Sequence, residues 1–172
     1  MLRGINLGSS RRVPMAELRE LLTGAGYEHV STYVQSGNIV LSASAKPVQL
    51  ERELAALIEH RFGFAVAVVV RSRRQLQAVI DRDPIPGAAE DPKRYQVTFL
   101  AAKPSAAALA KLREVARESE RIEFTGREIY TFHPEGVAGS RLSVAVVGKD
   151  VGADATSRNW TTVKTLAQMA SQ

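Results

Sequence analysis

Three short stretches of this chain gather groups that could hold a polar ligand. They are Arg3-Gly4-Ile5-Asn6-Leu7-Gly8 near the start, Gln35-Ser36-Gly37-Asn38 at a turn, and Arg158-Asn159-Trp160-Thr161-Thr162 near the end. Arg3 offers a planar fork of five donors that suits carboxylate or phosphate oxygens. Asn6 adds two donors and an acceptor, and Gly4 and Gly8 let backbone amides come close to a ligand. Gly8-Ser9-Ser10 ahead of Pro14 reads as a loop feeding a helix N-terminus, where an anion is favoured. The Gly-Lys-Ser/Thr ending of a phosphate-binding P-loop is missing, and no GxGxxG occurs.

Each cassette also has a plain structural reading. Arg3 would pair with a carboxylate at the core edge, while Asn6 would bind loop backbone. A tight hairpin explains Gly37 and Asn38, because both tolerate positive φ. It does not require Gln35 and Ser36, whose amide and hydroxyl would project toward a ligand at the strand end. Tyr33 could stack on a base or cover the sheet. Asn159 or Ser157 can cap a final helix, and Trp160 can bury its ring against the sheet. Neither a cap nor a core needs the guanidinium of Arg158, which would bind an anion or lock the last helix through an ion pair. As a ligand-binding site the expected set is Arg3, Asn6, Gln35, Ser36, Asn38 and Arg158, lining a cleft between two subdomains.

Catalytic arrangements are scarce. His29, His60 and His133 are isolated, lack metal-ligand spacing, and are expected at surface or loop positions. No G-x-S-x-G elbow occurs. Asp81, Asp83, Glu90 and Asp91 crowd one connector and could hold Mg²⁺, a flexible acidic loop being the plainer reading. Tyr130 and His133 lie near each other without making a catalytic pair. No nucleophile–base pair, metal-ligand set or cofactor is expected.

The formal net charge is +5 and the chain contains no cysteine, which excludes disulfides, thiolate metal sites and cysteine nucleophiles. A basic balance favours anionic partners such as small anions, nucleotides or nucleic acid. The leading expectation is therefore a small-anion or nucleotide-like ligand-binding domain. The alternatives are weak nucleic-acid binding across Arg11, Arg12, Arg71, Arg73 and Arg74, and a metal-dependent phosphoryl-handling enzyme. With only 6% aromatic residues and no basic-Gly-aromatic motif, a base-stacking platform has little to draw on. No apolar run is long enough to span a membrane and no signal-peptide h-region precedes the first motif, so no membrane partner and a cytoplasmic location are expected.

These groups must be positioned by the elements between them. Residues 1–7 read as a strand, and Met15, Leu18, Leu21 and Leu22 recur at helical spacing behind Pro14. Residues 30–35 and 39–42 form a hairpin, a helix follows Pro47 with Leu50, Leu54, Leu57 and Ile58 on one face, and the apolar run 65–70 reads as a buried strand. That order is β-α-β-β-α-β, a ferredoxin-like split unit. A short helix at 73–80 and a Pro/Gly/Ala-rich connector at 81–92 follow. Beyond them come a strand at 95–101, a helix at 106–116, a hairpin over 121–124 and 128–132, and a final helix from about 159. Residues 142–147 fit either a strand or one helical face. The expected fold is α+β, with two ferredoxin-like subdomains at 1–80 and 93–172.

The stretches Leu2-Arg3-Gly4-Ile5-Asn6-Leu7-Gly8, Val13-Pro14-Met15-Ala16-Glu17-Leu18-Arg19 and Thr32-Tyr33-Val34-Gln35-Ser36-Gly37-Asn38-Ile39-Val40 resemble the N-terminal signature of the bacterial family of domain of unknown function 1697. Thr156-Ser157-Arg158-Asn159-Trp160-Thr161-Thr162-Val163 resembles its C-terminal one. The resemblance implies an α+β protein with ferredoxin-like subdomains, and it brings no activity, substrate or cofactor. Relatives carry several residues before the first motif, which here begins at residue 2, so a shortened first strand is expected.

Overall fold

The computed structural model describes residues 1–7 and 11–172. Helix α1 (Met15–Gly24) starts after Pro14, whose φ of −64° suits the entry, and it buries Met15, Leu18 and Leu22. The hairpin that follows pairs β1 (Glu28–Tyr33) with β2 (Asn38–Ser42), antiparallel, with an irregular register between Glu28 and Ser31. Helix α2 (Pro47–Phe62) buries Leu50, Leu54 and Ile58, four residues apart, so one stripe faces the core. It ends at Gly63, whose φ of 77° is the left-handed conformation glycine adopts freely. The core of this half joins Leu2, Ile5, Val13, Leu18, Leu22, Leu54, Ile58, Val66 and Val68.

The two strands expected at 1–7 and 65–70 reduce to a single antiparallel bridge, Leu2 to Val68. Arg3 N–H donates to Ala67 O at 3.0 Å and Val69 N–H to Met1 O at 2.9 Å. On the other side Leu2 N–H donates to Gly37 O at 2.8 Å. The sequence is apolar enough for strands there, but Gly4 (φ 60°) and Asn6 (φ 55°) turn the chain out of extended geometry at once.

Helix α3 (Arg73–Arg82) leads through a 3₁₀ turn at 88–90 to β3 (Tyr95–Leu100). Helix α4 (Ala106–Val115) is capped by the Ser105 hydroxyl, which accepts from Ala108 N–H at 3.1 Å. A hairpin of β4 (Arg121–Thr125) and β5 (Glu128–Phe132) follows. The ambiguous stretch is the short helix α5 (Arg141–Ala145), capped by Ser140. Strand β6 (Ala155–Asn159), which no sequence pattern announced, runs directly into helix α6 (Trp160–Met169). The four strands form one sheet in the order β4-β5-β3-β6, with every neighbouring pair antiparallel.

Among the described residues the fold is thus α+β, with six α-helices and two antiparallel sheets. It divides into two units, Met1–Arg73 with Gln168–Gln172, and Arg74–Ala167. The division falls before the connector at 81–92 rather than within it, so all of α3 beyond Arg73 goes with the second unit. In that unit alternate residues of the sheet face opposite ways. Leu100, Ile129 and Ala155 pack with Leu112 of α4 and Leu142 of α5. Tyr95, Val97, Phe99 and Tyr130 are fully buried on the other face. There Tyr95 stacks on Trp160, ring centroids 4.6 Å apart.

Gly37 is the most crowded of the described glycines. Its φ is 74°, and a Cβ placed there would lie 2.6 Å from Leu2 Cβ and 2.9 Å from Ile5 Cδ1. Gly37→Ala therefore combines backbone strain with a core clash, and a loss of about 2–4 kcal/mol is expected from chemical denaturation. A loss under about 0.5 kcal/mol would show that the approach of residue 2 to the hairpin is not a constraint.

Candidate functional site

The first two cassettes are joined by hydrogen bonds. Asn6 Nδ2 donates to Val13 O at 3.0 Å and to Gln35 O at 2.8 Å, while its Oδ1 accepts from Val13 N–H at 2.9 Å. Both donors and the acceptor of this amide thus tie the loop that ends at Val13 to the hairpin. Asn38, fully buried, donates from Nδ2 to Tyr33 O at 3.2 Å and to Ser36 Oγ at 2.9 Å. The Gln35 side chain is exposed and makes no hydrogen bond to a described residue. Arg3 is half-buried. Arg11 is exposed, lies over the Phe64 ring at 5.5 Å and donates to Ala65 O. The loop Gly8-Ser9-Ser10, expected to favour an anion, lies outside the described residues.

Arg158 belongs to the second unit, whereas Arg3, Asn6, Gln35, Ser36 and Asn38 belong to the first. On β6 it sits opposite Val97, 9% exposed, and its Nη1 donates to Thr156 Oγ1 at 2.6 Å and to Ser157 O at 2.7 Å. Burial pushes this guanidinium down to about 10, which leaves it charged at neutral pH. Asn159, not Ser157, caps α6: its Oδ1 accepts from Thr162 N–H at 2.8 Å.

A pocket of about 440 Å³ opens in the second unit, and the cassettes contribute nothing to it. Its walls are Pro84, Ile85 and Pro86 on the connector, and the stretch from the end of α4 into β4 that carries Arg113, Arg117 and Arg121. Each of these arginines is held from behind. Arg113 lies 4.9 Å from the Phe124 ring centroid and Arg121 4.7 Å from that of Phe132. Arg121 Nη1 also donates to Pro86 O at 2.7 Å, joining the two walls. Arg117 pairs with Glu135 at 3.0 Å and donates to Gly139 O at 3.0 Å.

The turn carrying Arg117 rests on a buried carboxylate. Glu120 Oε1 accepts from Ser140 Oγ at 2.6 Å and from His133 Nδ1 at 2.8 Å, while Oε2 accepts from Arg117 N–H at 2.9 Å. The Glu120 and His133 side chains are 2% and 1% exposed. Since an ionised carboxylate only accepts, the Nδ1 proton points at Glu120, and Nε2 meets the Thr131 hydroxyl at 2.9 Å. Burial raises the Glu120 pKa, but the donors from Ser140, Arg117 and His133 together outweigh it and hold the carboxyl below its ordinary range.

His133 therefore corrects the sequence reading, being a core residue of a polar network; His29 and His60 are exposed as expected. Tyr130 and His133 do not meet, because the His133 partner Thr131 faces away from Tyr130 on β5 and the Tyr130 hydroxyl reaches Val79 O at 3.4 Å. The acidic residues of the connector do not gather: Asp81 accepts from Gln77, Asp91 pairs with Arg94, and Asp83 lies by buried Tyr95. Among the described residues no group of three His, Asp or Glu could hold a metal ion. Among the described residues Tyr95 Oη and Asp83 Oδ1 are buried with no partner in hydrogen-bond geometry, and burial first, then the neighbouring Asp83, drives the Tyr95 pKa far up.

Sequence reasoning missed Arg113, Arg117 and Arg121 as a group, although their spacing of four was visible. It had no means of finding Glu120, His133 and Ser140, which share no motif. The lowered Glu120 pKa means its stabilisation is complete above the ordinary value of 4.5 and is lost as pH falls through the lower folded value. Glu120→Gln is expected to cost about 3 kcal/mol at neutral pH in urea titrations and to flatten the loss of stability below pH 4.5. Equal acid sensitivity of variant and wild type would show that Glu120 does not carry it.

The structure of a conserved bacterial protein from Streptococcus pneumoniae matches with a TM-score of 0.76 at 24% identity, covering 99% of this chain and 96% of that one. Identity at that level shows a shared fold. No match was found among curated proteins. The family described as "Protein of unknown function (DUF1697)" matches residues 1–130, a span that includes the Leu2–Gly8, Val13–Arg19 and Thr32–Val40 motifs. By its sequence this chain belongs to the DUF1697 family.

Proposed function

We propose that this chain is a cytoplasmic small-anion-binding protein whose two units follow the ferredoxin-like, split β-α-β order. In the second unit the first strand in chain order lies between the third and the fourth, and this supports that order. In the first, the contacts of Leu2 with Val68 and with Gly37 support the same arrangement through segments too short to form ladders.

The observation that carries the anion reading is that Arg113, Arg117 and Arg121 line one pocket and are fixed by groups outside it. A guanidinium stacked on a ring keeps its plane, leaving its N–H edge for oxyanions. Such a group has less side-chain freedom to lose on binding. The apolar wall of Pro84, Ile85 and Pro86 gives the rest of a small ligand a surface to lie on.

A second reading keeps ligand binding at the cassettes, with Arg3, Asn6, Gln35, Ser36 and Asn38 in the first unit and Arg158, taken by itself, in the second. The exposed amide of Gln35, unbonded to any described residue, favours it, while the engaged amides of Asn6 and Asn38 favour a structural lock. Nucleic-acid binding rests on the net charge of +5 and on exposed Arg12, Arg73 and Arg74.

Calorimetric titration with inorganic phosphate, nucleotides, sugar phosphates and small carboxylates separates these readings. Arg113→Ala is expected to weaken the best anion by about tenfold or more, the effect of one charge-assisted hydrogen bond, with little change in melting temperature. Unchanged affinity in Arg113→Ala and Arg121→Ala, with loss in Arg3→Ala or Arg158→Ala, would move the site to the cassettes. Binding of oligonucleotides alone, falling steeply with salt, would favour nucleic acid.

A further inference from the structure

The pocket that binds the anion in the reading above carries a second chemical signal. Besides Arg113, Arg117 and Arg121, it is lined by Glu118 and Glu123, both exposed. Neither carboxylate makes an ion pair or hydrogen bond with a described residue. Among the described residues Arg113 likewise makes only its contact with the Phe124 ring. Groups of both signs thus border one pocket, and these three leave each other unpaired. Glu120 also lines the pocket and keeps its negative charge, but its oxygens are engaged by His133, Ser140 and the Arg117 N–H, so Glu118 and Glu123 are the carboxylates open to a ligand.

Resting on the anion reading, we infer that the ligand is a small zwitterion that carries an oxyanion and an ammonium group. A ligand with only negative charge would gain the guanidinium edges but bring its charge beside two carboxylates, which like-charge repulsion opposes. A ligand with an added ammonium group meets Glu118 or Glu123 instead, and the same carboxylates become selective for it. Phosphate and carboxylate zwitterions share this chemistry, and the arginines accept either oxyanion.

Two matched pairs of probes test the inference and tell the oxyanions apart. Phosphoethanolamine is compared with ethyl phosphate, and L-leucine with 4-methylpentanoate, which lacks only the amino group. In at least one pair the zwitterion is expected to bind about fivefold or more tighter, the upper range for an exposed charge pair. The double variant Glu118→Gln, Glu123→Gln should abolish that preference and tighten binding of the anion-only probe. Equal affinities within both pairs, or a preference that survives the double variant, would overturn the inference and leave anion binding standing. Loss of neither probe in Arg113→Ala would instead reject the pocket itself.

Discussion

A carboxylate removed from water stays ionised only if donors replace the solvent it has lost, and the second unit is organised around meeting that demand at Glu120. Three donors converge on it, from a side-chain hydroxyl, an imidazole and a backbone amide. They come from three places in the chain, the turn after α4, the end of β5 and the cap of α5. One buried charge therefore sets where these segments lie relative to one another. The Ser140 hydroxyl serves twice, donating to Glu120 and accepting from Ser143 N–H at the start of α5. The arginine wall of the pocket stands on this base, so its geometry is fixed from inside rather than by the mobile ends of long side chains.

The first unit solves its polar problem in another way. Asn6 adopts a positive φ, and its side chain then meets backbone groups that the loop and hairpin leave unpaired. Asn38 does the same inside the turn. Such amides are struts: each replaces backbone pairing where the chain is too curved for a ladder. The same residue types that suggest a ligand site in a sequence also suit this work, since both need donors and acceptors close to glycine.

That overlap explains what could be read from the sequence. Helices α1 and α2 were legible because Leu18 with Leu22, and Leu50, Leu54 with Ile58, repeat at helical spacing over several turns. Both hairpins were legible from Gly37-Asn38 and Gly126. Helix α5 was not, because five residues are too few to distinguish a period of two from 3.6. Strand β6 was hidden by its composition, Ala-Thr-Ser-Arg-Asn, since backbone pairing with β3 and not an apolar face makes it a strand. Of the candidate site, the cassettes stood out while the bonds that occupy Asn6 and Asn38 did not. The arginines of the pocket carry no motif, and their setting depends on Phe124, Phe132 and Glu120, which only the folded chain brings to them.

The bridge between Leu2 and Val68 joins the two ends of the Met1–Arg73 stretch of the first unit. During synthesis Leu2 emerges before its partners at 67–69, which follow only after α1, the hairpin and α2 have been made. Until then Leu2 and Ile5, both buried in the finished core, have no complete surface to pack against. The cost of closing so long a loop must be met before the contact returns anything. Leu2 and Ile5 thus settle only after the residues that follow them up to Val69, and the Met1–Arg73 stretch closes as a whole rather than growing outward from one end.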